Sequence, residues 1–105
     1  MGVILAGVQV RFEDGKLGQL ETDSSLDGGY GPGIGSVFRK RMQFIRAAKD
    51  ERDFYAMKSL HFEKLEGNLA GKHSMRLNKQ WRLILGFEGK APDKVVVIFA
   101  IADYH

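Results

Sequence analysis

The spacing of apolar residues changes along this chain, and each change predicts an element. Val8, Val10 and Phe12 alternate with Gln9 and Arg11, the two-residue period of a half-buried strand over residues 8–12. Leu17 and Leu20 follow at helical spacing within residues 13–21, although Gly15 and Gly18 weaken that short helix. Residues 22–35 are rich in Ser, Asp and Gly and predict a flexible loop, with Pro32 near the first turn of the next helix. Residues 34–49 carry the clearest helical stripe: Ile34, Val37, Phe38, Met42, Ile45 and Ala48 on one side. Arg39, Lys40, Gln43 and Arg46 lie opposite and read as a solvated basic face. Residues 50–60 continue with a helical turn or two, with Phe54, Met57 and Leu60 inward. Residues 60–72 are irregular, punctuated by Gly67 and Gly71.

Strict alternation returns over residues 73–87. Met75, Leu77, Trp81, Leu83, Leu85 and Phe87 make one face; Ser74, Arg76, Asn78, Gln80, Arg82 and Ile84 make the other. A two-residue turn at Asn78-Lys79 would set Met75 against Arg82 and mix the faces. A loop of residues 78–80 instead pairs Leu77 with Trp81, Met75 with Leu83, and Arg76 with Arg82. A one-residue slip would flip a whole strand, so this register is expected. It sets two guanidinium groups opposite each other, which is mildly destabilising. An anion between them removes the penalty, and phosphate oxygens match guanidinium forks. His73 falls on the apolar side, as a partly buried, hydrogen-bonded imidazole. Residues 95–103 are apolar on both faces and predict a central strand. The sum is α+β: an N-terminal strand and helices packed on one curved, mainly antiparallel sheet.

A length of 105 residues bounds this to a single domain, residues 1–105, in which residues 1–7 can be an N-terminal extension. The absence of cysteine excludes disulfides and thiolate chemistry and is compatible with a reducing cytoplasm. The longest apolar run, residues 95–102, is far short of a membrane span, and residues 3–8 lack the basic flank of a signal peptide. Net charge is +3 but uneven: residues 1–33 carry −3 and residues 34–105 carry +6. From Gly67 to Phe87 stand Lys72, Arg76, Lys79 and Arg82 with no acid, a local field that favours a polyanion.

The chain closes on Asp103-Tyr104-His105, beside the basic hairpin if the last strand is central. Imidazole titrates near neutrality and phenol can donate a hydrogen bond, so this tail suits proton transfer. His61, Glu63 and Lys64 can reach the same cleft. The three histidines show no metal-ligand spacing, and no cofactor motif is present; the glycines of residues 28–35 lack the ending of a phosphate-binding loop. Arginines, lysine, Tyr and His without a metal point to RNA cleavage through the ribose 2′-hydroxyl, where fixed cations stabilise the crowded phosphorane.

The run from Phe62 to Leu83, Phe-Glu-Lys-Leu-Glu-Gly-Asn-Leu-Ala-Gly-Lys-His-Ser-Met-Arg-Leu-Asn-Lys-Gln-Trp-Arg-Leu, with the closing Asp103-Tyr104-His105, resembles toxins of the RelE/ParE superfamily. Within it the chain is most similar to the HigB-like killer proteins of type II toxin–antitoxin systems. The resemblance implies a RelE-like fold and a cytoplasmic toxin that enters the ribosomal A site and cuts mRNA. It also implies a cognate antitoxin, a helix-turn-helix HigA-like protein through which alone operator DNA is met, and no membrane partner.

By position, the resemblance makes Arg82 the contact to the scissile phosphate, and the hairpin register sets Arg76 beside it. Tyr104 and His105 match the terminal catalytic pair, and Asp103 the acid beside them. Gln80 takes the place of an amide lining the site. Lys64 and His61 are helpers, either of which can be the base, because Glu66 stands where relatives carry a lysine. Lys40, Arg46, Lys72 and Lys79 are expected on rRNA or mRNA phosphates. Rival readings are a ParE-like toxin that poisons DNA gyrase without cutting RNA, and a degenerate toxin that only binds its antitoxin.

Overall fold

The computed structural model describes residues 8–90 and 94–103. The expected extension at residues 1–7 and the Tyr104–His105 pair lie outside the described residues. Chain order is β1 (Gln9–Phe12), α1 (Gly15–Thr22), α2 (Ile34–Ala47), α3 (Arg52–Ala56), β2 (Glu63–Lys64), β3 (His73–Arg76), β4 (Trp81–Glu88) and β5 (Val95–Asp103). The strands form one sheet in the order β1-β5-β4-β3-β2, antiparallel except for the β1–β5 pair. This is the mainly antiparallel α+β architecture that the pattern predicts, with one addition. The short edge strand β2, set against Ser74 and His73, falls in a stretch whose sequence reads as irregular.

The hairpin has the expected register: Met75 faces Leu83 and Arg76 faces Arg82. The Leu77 and Asn78 N–H groups both donate to the Trp81 carbonyl, and the Asn78 Oδ1 accepts from the Gln80 and Trp81 N–H groups at 2.8 and 2.7 Å. An Asn side chain that mimics a backbone turn thus closes the three-residue loop. In β5, Ile98 pairs with Leu85 and Ala100 with Ile84, so Phe99 is an extra residue that bends the strand.

One core joins the layers. Leu17 and Leu20 of α1, Phe38, Met42 and Ile45 of α2, and Phe54 of α3 meet Met75, Leu83, Leu85, Val96 and Ile98 of the sheet. Two expectations fail here. Met57 is 41% exposed rather than inward, because α3 ends at Ala56 and a tight 3-10 turn, Lys58–Leu60, follows. The loop ahead of α2 is also not a loose connection. The Arg39 guanidinium donates to the carbonyls of Leu20, Asp23, Leu26 and Ser24 at 2.8–3.5 Å and ties that segment to α2. Gly33, in the left-handed region at φ +85°, provides the turn into the helix.

Candidate active site

Alternation along β3 and β4 turns Met75, Leu83 and Leu85 to the core and puts Ser74, Arg76 and Arg82 on the opposite face. There His61, Arg76, Asn78, Lys79 and Arg82 line a polar pocket of about 240 Å³. Its floor is Arg82, 8% exposed. The Arg82 Nη2 donates to the Ser74 Oγ at 2.7 Å, the His61 carbonyl at 2.9 Å and the Glu63 carboxylate at 3.1 Å. The Arg76 side chain is held by the Asn78 carbonyl at 3.3 Å, and its Nη1 lies 3.4 Å from the His61 Nε2. The two expected cations are therefore together, and the carboxylate that offsets their repulsion is Glu63.

His61 joins the two arginines through its ring and its carbonyl. It is placed by its neighbours: Leu60 and Phe62 are both buried, and the residue between them adopts φ +48°, ψ +48°. It is the one non-glycine residue with positive φ among those described. Such a conformation is strained for a residue with a Cβ, and strain of this kind gathers at functional sites.

Of the other sequence candidates with a described position, only Lys79 lines this pocket. Lys64 pairs with His73, on the core side of the sheet edge rather than with Arg82. Asp103 is opposite Trp81, one residue out of step with Arg82, and accepts from the Gln80 Nε2 at 3.1 Å. Gln80 thus links the hairpin loop to the end of β5. Lys79 lines the pocket, whereas Lys72 lies over the Phe99 ring at 4.2 Å. Arg46 on α2 is engaged by both Glu21 oxygens at 2.6 and 2.8 Å, which raises its pKa, and Lys40 is exposed on the same helix.

His73 departs from expectation. It is 8% exposed, but neither ring nitrogen has a hydrogen-bond partner among the described residues. It stacks on aromatic rings instead, and burial pulls its pKa below the ordinary value. Among the described residues no His, Asp or Glu cluster could hold a metal ion, and no helix is long and apolar enough to cross a membrane. Sequence reasoning missed Arg41. Its Nε donates to the Arg76 carbonyl at 3.2 Å, a contact that no spacing announces.

Residues 10–105 match the family model of the HigB-like toxins, described as RelE-like toxins of the type II toxin–antitoxin system HigB. Toxin HigB-1 of Vibrio cholerae is 47% identical over 49 residues, covering 47% of this chain and 50% of that protein. The match thus spans half the length of that relative. Among solved structures, a YoeB/ParE toxin from Agrobacterium tumefaciens is 12% identical over 93% of this chain and 100% of its own, with a TM-score of 0.59. A YoeB–YefM complex from Staphylococcus aureus is 18% identical over 95% and 99%, with a TM-score of 0.58. Those two likenesses are of fold.

Proposed function

The chain belongs to the HigB-like family of RelE-like toxins of type II toxin–antitoxin systems, and from that premise we propose that it is a single-domain, ribosome-dependent mRNA endoribonuclease of the cytoplasm. One observation carries the reading. Arg76 and Arg82, paired across a hairpin, open on a polar pocket with the His61 imidazole beside them.

In this reading a base takes the proton of a ribose 2′-hydroxyl, whose oxygen attacks the adjacent phosphorus. The 5′-oxygen leaves with a proton from an acid, giving a 2′,3′-cyclic phosphate and a 5′-hydroxyl. Arg76 and Arg82 hold the phosphate and stabilise its added charge. A phosphate oxygen arriving at Arg82 competes with the Glu63 carboxylate for the same Nη2. The His61 imidazole lies beside that phosphate as one proton-transfer group, and His105 and Tyr104 supply the second proton transfer. Lys79 meets RNA at the pocket rim, and Lys40, Lys72 and Arg46 meet it farther out; Asp103 and Gln80 fix the end of β5. Lys64 is left as a long-range cation.

The partner is a cognate antitoxin, a helix-turn-helix HigA-like protein; the complex of the Staphylococcus aureus relative supports an antitoxin in general. The test is to induce the chain without antitoxin and map 5′ ends on translated messages. Wild type should cut within codons, and Arg82→Ala and deletion of His105 should abolish the cuts. Cleavage retained in both variants removes this site. Intact mRNA with gyrase-linked DNA breaks would install the gyrase reading, and unaffected growth a degenerate toxin.

A further inference from the structure

Most arginines of this fold have an evident partner. Arg11, Arg46 and Arg52 each face a carboxylate that raises the guanidinium pKa. Arg39 is spent on loop carbonyls, and Arg82 reaches Glu63. Arg41 is different. It is partly buried on α2, its pKa is lowered, and burial is the cause. No carboxylate lies within ion-pair distance of it among the described residues. Its single hydrogen bond among them, from Nε to the Arg76 carbonyl, leaves the Nη1 and Nη2 groups uncommitted.

The place of that bond matters. Leu77 donates to Trp81 across the hairpin, so Arg76, one residue earlier, turns its carbonyl away from β4. On that side β2 reaches only as far as Ser74. The Arg76 carbonyl is thus an unpaired group on a sheet edge, and Arg41 caps it. The cap seats a half-buried cation on the backbone of Arg76 itself. A neutral donor such as Gln would satisfy a carbonyl without the cost of burying charge.

We propose that Arg41 binds an RNA phosphate flanking the scissile one, extending the anion site of Arg76 and Arg82 around the edge of β3. The Nε–H anchors the side chain, and the Nη1 and Nη2 groups are left for a phosphate, their natural bidentate partner. This rests on the RNA-cleaving reading above and adds a substrate contact to it. Arg41 is a binding residue in this scheme, without a role in proton transfer.

The test uses the full chain and a labelled single-stranded RNA whose 2′-hydroxyls are methylated, so that it binds and is not cut. Affinity is measured by fluorescence anisotropy across a series of KCl concentrations. Each phosphate contact to a single strand contributes about 0.7 to the slope of log affinity against log salt. Arg41→Gln should therefore bind more weakly at low salt with a slope shallower by about 0.7. Arg41→Lys, which keeps the charge, should hold the wild-type slope. Thermal melting of both variants separates binding from folding: a mere strut would lower the melting temperature and leave the slope unchanged, which overturns the inference. Wild type that fails to bind the oligonucleotide overturns it too. Failure of the wild type to cut translated mRNA would defeat the earlier reading alone, because the salt slope does not depend on cleavage.

Discussion

His73 lies flat against Phe62, with ring centroids 4.9 Å apart and planes 4° from parallel. Phe87 meets the same imidazole edge-on at 5.3 Å. A protonated imidazole has two N–H donors, and neither would find an acceptor among the described residues. Burial pushes the pKa down, Lys64 and Lys94 add to it, and Glu51 opposes. The neutral form therefore belongs to the folded state. Because the folded pKa is depressed, the unfolded chain binds more protons, and stability falls as pH falls. The contribution is complete above the unfolded value of about 6.5 and is lost as pH drops through the lower folded value. Melting temperatures of wild type between pH 7.5 and 5 should fall more steeply than those of His73→Phe, which keeps the stack and cannot titrate. Parallel curves would remove His73 as the source.

Arg39 makes a second, purely structural prediction. Its guanidinium serves the carbonyl at 2.8 Å from Leu20 and three weaker acceptors in the segment before α2. Arg39→Ala strands these groups where the loop packs on the helix, at a cost of about 1–3 kcal/mol. For a domain of this size that is a melting-temperature drop of about 5–20 °C. The pocket around Arg82 does not include Arg39, so RNA cleavage measured below the melting transition should persist. A drop under 2 °C would show that water replaces the guanidinium at little cost.

Arg82→Lys tests the geometry of the pocket rather than its charge. Three acceptors surround one guanidinium nitrogen, from Ser74, His61 and Glu63. A lysine can satisfy some of them but has no second nitrogen to present to a phosphate. Cleavage should fall by about 10²–10³, the range seen on losing a fixed charge-stabilising donor. The melting temperature should move by only a few degrees. Near-wild-type cleavage by this variant would mean that charge alone suffices and that the fork is idle.

These cases show which parts of the site were legible in sequence. The Arg76–Arg82 pairing was readable because alternation over two strands leaves one register that keeps Met75 and Leu83 on the core side. The stripe of α2 was readable for the same reason: period encodes a face. The partners of its basic side were not. Arg39 reaches carbonyls 13 to 19 residues away, and Arg41 reaches one 35 residues away. Backbone acceptors carry no side-chain signature, so Arg39 looks like a solvated charge in sequence and nothing there singles out Arg41. Alternation puts His73 on the apolar side, as found, but its partner Phe62 sits just ahead of the two-residue strand β2, in a stretch with no period to read. Met57 went wrong because a helical spacing was extended past the point where α3 tightens into a 3-10 turn.

The last prediction separates strain from chemistry at His61. Its left-handed backbone costs a residue with a Cβ about 1–2 kcal/mol, whereas glycine adopts it freely at an entropic cost of about 0.5–1 kcal/mol. The bond from Arg82 is to the His61 carbonyl, which any residue supplies. His61→Gly should therefore fold at least as stably as wild type, with a gain of up to about 1.5 kcal/mol on these figures. The imidazole near Arg76 is lost, and if it moves a proton in the reaction, cleavage should fall by about 10²–10⁴. Asn also tolerates the left-handed region, so His61→Asn should be equally stable and equally slow. A variant that is stable and fully active would leave His61 as nothing more than the turn that presents its carbonyl to Arg82.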